Sequence, residues 1–159
     1  MALPERFNLS YIDKDNEKYR PLMIHRVIYG SIERFFGILI EHFAGGFPLW
    51  MAPIQAEILA INDDLVPYAN DVKMKLETAG LRTEVDSRTE SLNKKVREAQ
   101  LNNIPLILTV GSKEKENGSL SVRTLDGNVR YGITFENFFQ RVLQHIDKRR
   151  LDLDIFPAS

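Results

Sequence analysis

Residues Ile104–Val110 read IPLILTV, an apolar run with a single threonine. A strand with one wet face alternates apolar and polar residues. A run that does not alternate is the pattern of a central strand covered on both faces. The residues around it supply the cover. Ile54–Ile61 is predicted as a strand, and Asn62, Asp63 and Asp64 are N-cap candidates for a helix carrying Leu65, Ala69, Val72, Leu76 and Ala79 at alternating spacings of four and three. Gly80 is placed to end that helix as its C′ residue, and Leu81–Asp86 reads as a second strand. Within Arg88–Asn103 a helix is expected with Leu92, Val96 and Ala99 inward and Lys94, Lys95 and Arg97 outward.

After Gly111, the SKEKENG segment reads as a loop leading to a strand at Ser119–Leu125. Asp126-Gly127 is a hairpin signal, and Val129–Ile133 is the expected return strand. Thr134 then caps a helix striped with Phe135, Phe138, Phe139, Val142, Leu143 and Ile146, and LDLDIFPAS reads as a frayed tail. The order predicts an α/β fold with a mixed sheet of about five strands and about three helices.

Upstream, Glu5–Asp13 alternates like a strand, Asp13–Arg20 is a polar turn, and Pro21–Tyr29 reads as the antiparallel return strand. A helix follows, with Ile32, Phe35, Phe36, Leu39, Ile40 and Phe43 on one face and Ser31 as its cap. Arg34 stands in its first turn, where the helix dipole prefers negative charge. It either joins the free amides in binding a phosphate or reaches an acidic neighbour. Gly45-Gly46-Phe47-Pro48 breaks the helix, which divides the chain into residues 1–47 and 48–159.

The chain has 159 residues, room for one medium domain or for a small domain plus a fragment of another. Zero cysteines exclude disulfides and cysteine-bound metal within it, and a net charge of −1 argues for local rather than general contact with nucleic acid. No apolar run is long enough to span a membrane, and MALPERFNLS has no signal-peptide core. No nucleophile elbow or phosphate-cradling loop is present.

The pattern I-H-R-x-x-x-G-S-x-E-R-F-x-G-x-L, Ile24 to Leu39, closely resembles the third signature motif of class II aminoacyl-tRNA synthetases in its threonyl form. The flanking A-G-x-F-P-x-W-x-A-P at Ala44–Pro53 continues the match, and the resemblance covers about Leu3 to Arg150. It implies a C-terminal piece: a β-hairpin and helix from the end of the antiparallel catalytic domain, then a class IIa anticodon-binding domain. In the whole enzyme, threonine is attached to tRNA(Thr) with ATP and magnesium. The family dimerises through catalytic-domain surfaces and works in the cytoplasm.

His25, which on spacing alone reads as a core or hydrogen-bonded histidine, matches by the resemblance one of three zinc ligands that grip threonine. The other two, a cysteine and a histidine, have no counterpart here. Arg34 matches the arginine that holds ATP phosphate, but the second class II motif is absent. The isolated chain is therefore expected to bind neither zinc nor ATP usefully and not to catalyse. Threonine anticodons share G and U at their last two positions, so two unstacked bases must be read. Glu114 in G-x-K-E and Arg123 in V-R-T match the family's readers; without the resemblance both read as solvated charges. Arg97 matches a position on the RNA side, with Arg88 a weaker candidate, and Lys94 and Lys95 are expected as phosphate contacts or solvated. Thr89 stands where the family often has Asn, so no base contact is carried over to it. The competing expectations are a stand-alone anticodon-domain accessory module and an unrelated nucleotide-binding α/β domain.

Overall fold

The structure, a computed structural model, describes residues 3–156 and divides into two compact units, Met1–Leu39 and Ile40–Ser159. In the first, a one-turn helix α1 (Leu3–Arg6) precedes two short antiparallel strands, β1 (Tyr11–Ile12) and β2 (Lys18–Tyr19), in the register Tyr11 to Tyr19 and Ile12 to Lys18. Asn16 takes the left-handed conformation that closes the turn, and the Tyr19 hydroxyl donates to Asp15 at 2.6 Å. The hairpin is thus much tighter than the sequence suggests. Pro21–Tyr29 is not its return strand and has no regular structure. A strand exists only where another pairs with it, and among the described residues none reaches this segment. Ile24, Val27, Ile28 and Tyr29 consequently stand exposed.

The division between units falls within α2 (Ile32–Phe43). Its cap is the expected one, the Arg34 amide donating to Ser31 Oγ at 3.2 Å. Ile32, Phe36 and Ile40 on the apolar stripe remain exposed.

The second unit is built on a five-stranded mixed sheet of order β4-β3-β5-β6-β7. Its strands are β3 (Ala56–Ala60), β4 (Thr83–Asp86), β5 (Leu106–Val110), β6 (Ser119–Thr124) and β7 (Val129–Thr134). β3 runs parallel to β4 and β5, while β6 is antiparallel to both β5 and β7. Two long helices, α3 (Val66–Thr78) and α6 (Phe135–Asp147), cover one face, and α4 (Leu92–Leu101) covers the other. Strand periodicity sorts the residues between these layers. Ile58, Leu106, Leu108, Leu120 and Val122 pack with Ala69, Val72, Leu76, Phe138 and Val142, whereas Leu59 and Ile107 pack with Ala99 and Ile104. The run at Ile104–Val110 is indeed the central strand, with Leu106, Ile107 and Leu108 all fully buried.

Local signals account for most boundaries. A 3₁₀ turn at Asp63–Leu65 leads into α3 with no side-chain cap, unlike the Asn or Asp cap expected. Thr134 caps α6 by accepting from the Asn137 amide at 3.4 Å. The segment read as a loop after Gly111 contains a fourth helix of this unit, α5 (Ser112–Asn117). The tail is not frayed over its described part: Ile155 is buried, Phe156 stacks on Phe138, and both carbonyls accept from arginines. Residues 157–159 lie outside the described residues, as does the start of the MALPERFNLS segment. No helix among the described residues is long and apolar enough to cross a membrane.

Candidate anticodon-binding cleft

α4 shields only part of its face of the sheet. Beyond it, Thr109 on β5, Ser121 and Arg123 on β6, and Val129 and Tyr131 on β7 form the floor of a cleft of about 360 Å³. Leu92, Asn93 and Val96 of α4 supply one wall, and Glu114 of α5 closes an end. Thr109 pairs with Ser121 and Ile107 with Arg123, so Ser121 and Arg123, two residues apart, share a face.

Glu114 is fixed from two sides. Its Oε2 accepts from the Gly111 amide at 3.2 Å and its Oε1 from the Ser121 hydroxyl at 2.9 Å. The first bond satisfies the amide at the start of α5, one half of a capping box, since Gly111 has no side chain to return it. Gly111 is a close approach: a Cβ there would stand 2.7 Å from Glu114 Oε2 and 2.9 Å from Ile61 Cδ1. Two carboxylate oxygens offer about four acceptor sites, so sites remain for a ligand. The carboxylate also acts at a distance: the Tyr68 phenol is raised above its usual range, first by burial and then by the charge of Glu114.

Arg123 is half-buried and has no ion pair among the described residues. The cleft thus presents an anchored acceptor and an uncommitted planar donor within one concavity. Arg97 follows the cleft-lining Val96 but lies on the exposed side of α4. Arg88 is committed elsewhere, donating to Asp86 through Nε at 3.0 Å and through a terminal nitrogen at 2.6 Å, and to Glu98 at 2.7 Å. Its hydrogen bond holds the Asp86 carboxyl below the usual carboxylate range, against the opposing effect of burial.

Lys95 corrects the expectation of an outward, solvated lysine. It is 3% exposed and donates to the carbonyls of Ala60 at 3.0 Å and Asp86 at 3.2 Å, tying α4 to the ends of β3 and β4. Lys94, its neighbour, is exposed and pairs with Glu90 at 2.6 Å.

Asn93, Thr109, Ser121 and Tyr131 are cleft residues that the sequence reading did not single out. Thr109 interrupts the apolar run, and Ser121 stands two before Arg123; both were legible as one face of a strand. In the first unit, His25 is exposed in the irregular segment and Arg34 is exposed on the first turn of α2. Among the described residues no group of three His, Cys, Asp or Glu side chains is placed to hold a metal. His25 alone does not make a zinc site.

A mixed sheet with helices on both faces and a cleft on one of them makes this unit an α/β domain. Residues 55–145 match the family described as the anticodon binding domain, and the chain belongs to that family. The relatives are more particular. The chain is 66% identical over 155 residues to the threonine–tRNA ligase of Desulforapulum autotrophicum, covering 98% of this chain and 24% of that protein. It is 66% identical over 149 residues to the threonine–tRNA ligase of Desulfosudis oleivorans, covering 94% and 23%. A crystal structure of the RNA binding domain of threonyl-tRNA synthetase from Cryptosporidium parvum Iowa II aligns with a TM-score of 0.69 at 32% identity, covering 97% of this chain and 38% of that one. The chain spans about a quarter of the length of the curated relatives it matches.

Proposed function

We propose that this chain is the C-terminal, anticodon-reading part of a threonine–tRNA ligase, with residues 48–159 as the anticodon-binding domain and 1–47 as the end of the catalytic domain. The observation that carries the reading is the convergence of Glu114 and Arg123 in one cleft, the carboxylate locked by Gly111 and Ser121 and the guanidinium free. A carboxylate accepts from the N1–H and N2–H of guanine, and a guanidinium donates to base carbonyl oxygens. Together they suit a pair of unstacked bases such as the G and U that end threonine anticodons. Arg97 is placed to meet the phosphate backbone outside the cleft. Arg88 contributes by holding Asp86 and Glu98, and reaches RNA only by leaving them.

In the longer protein, His25 contributes one zinc ligand and Arg34 one contact to ATP phosphate; the remaining partners come from outside this chain. The protein acts in the cytoplasm as a homodimer, and this chain alone does not form threonyl-adenylate. Separate titrations with a threonine anticodon stem-loop and with ATP test the reading. Saturable, salt-sensitive binding of the stem-loop and none of ATP is expected. ATP binding without stem-loop binding contradicts it.

A further inference from the structure

Tyr131 is the largest exposed aromatic side chain of the cleft, with 76% of its surface open and no aromatic partner among the described residues. The backbone explains how it comes to be there. Val129 pairs with Arg123 and Arg130 with Val122, so Val129 lies on the cleft face and Arg130 on the core face. Leu120, however, pairs with Ile133. Tyr131 and Gly132 therefore stand against the single residue Ser121, a β-bulge with Gly132 in the left-handed region at φ +66°. The extra residue lets Ile133 return to the core opposite Leu120 while Tyr131 stays on the cleft face. A bulge at an edge strand thus holds a large ring at the mouth of the concavity that contains Glu114 and Arg123.

We infer that Tyr131 is a stacking platform for one base of the RNA loop held in this cleft, so that its ring supplies sequence-tolerant affinity beside the base-specific contacts of Glu114 and Arg123. The inference rests on the anticodon reading of the cleft. Every base has a π-face, and an exposed tyrosine offers one at little cost in side-chain freedom. The hydroxyl has no role in this contact.

The test uses the whole chain and the threonine anticodon stem-loop, with 2-aminopurine placed at one loop position at a time. Tyr131→Phe keeps the ring and should bind within about twofold of wild type. Tyr131→Ala and Tyr131→Leu should each weaken binding by roughly 5- to 150-fold, the equivalent of about 1–3 kcal/mol for one stacked base. At one loop position 2-aminopurine fluorescence should be quenched by wild type and Tyr131→Phe but not by Tyr131→Leu. That loss should be the same for a stem-loop whose anticodon G is replaced. Full affinity in Tyr131→Leu, or equal losses in the Phe and Ala variants, overturns the inference while leaving the anticodon reading intact. Failure of the wild-type chain to bind the stem-loop at all overturns both.

Discussion

Gly111→Ala isolates the device that holds Glu114. The backbone at residue 111 is extended, φ −120° and ψ −178°, so alanine meets no conformational penalty there. The whole effect comes from the added methyl, 2.7 Å from Glu114 Oε2 and 2.9 Å from Ile61 Cδ1. Comfortable separations are roughly 3.5 Å or more, so the carboxylate must retreat by about 1 Å. Movement on that scale breaks its bonds to the Gly111 amide and the Ser121 hydroxyl. The site is half-exposed and water partly replaces the partners, so stability should fall by only about 1–2 kcal/mol. Stem-loop affinity should fall by about 1–3 kcal/mol, because the displaced carboxylate no longer meets the base edge.

Urea denaturation and stem-loop titration of four chains, wild type, Gly111→Ala, Glu114→Ala and the double variant, form the assay. In the Glu114→Ala background the methyl has no carboxylate to displace, so Gly111→Ala should add almost nothing to the binding loss. The coupling should therefore be about 1 kcal/mol or more. Strictly additive binding losses would refute the claim that Gly111 acts through Glu114.

Adjacent lysines should behave oppositely. Lys95→Ala strips a buried donor from the Ala60 and Asp86 carbonyls and should cost about 2–3 kcal/mol in urea unfolding, whereas Lys94→Ala should leave the midpoint unchanged. Equal effects would contradict the burial of Lys95. Glu57 is half-buried beside Asp86 and Glu84, and burial first, then their charges, raise its pKa above the usual carboxylate range. Its charged form is therefore the costly one. Glu57→Gln should raise Tm near pH 7, and the gain should vanish once pH falls below the ordinary glutamate value of 4.5, where the carboxyl is protonated in both folded and unfolded chains. Asp86, lowered mainly by its bond to Arg88, works in the other direction: the stability it adds is present near neutral pH and is lost as pH falls through its depressed folded value. In Arg88→Ala the acid limb of the stability profile should move to higher pH; an unmoved limb would count against that pairing.

Much of the second unit was legible because its signals are local or periodic. The Ile104–Val110 run marks the strand covered on both faces, Asp126-Gly127 the hairpin, and Thr134 the start of α6. The errors share a cause, which is that the deciding partner lies far along the chain. Pro21–Tyr29 has strand composition, but pairing needs a neighbour that is not among the described residues. Lys95 sits three residues after Leu92 and four before Ala99, squarely on the inward stripe, so its direction was readable. Its destination was not, since the carbonyls that receive it belong to residues 60 and 86. Ile155 and Phe156 looked like a tail because nothing local says that Phe138 awaits them. Around the cleft, Glu114 and Arg123 were named from a motif, while Tyr131 was missed although Gly132 inside a strand is a bulge signal. What the sequence could not supply is the uncovered strip of sheet beyond α4, which exists only once the layers are assembled.

The central claim is that this cleft discriminates bases. Its most direct test compares two stem-loops differing only at the anticodon G, with A in its place, titrated into wild type and Glu114→Ala at one salt concentration. Wild type should bind the G form more tightly by about 1–3 kcal/mol, and Glu114→Ala should bind both forms weakly with most of that preference gone, because adenine offers neither the N1–H nor the N2–H that the carboxylate accepts. Equal affinity of the wild-type chain for the two loops would contradict the account.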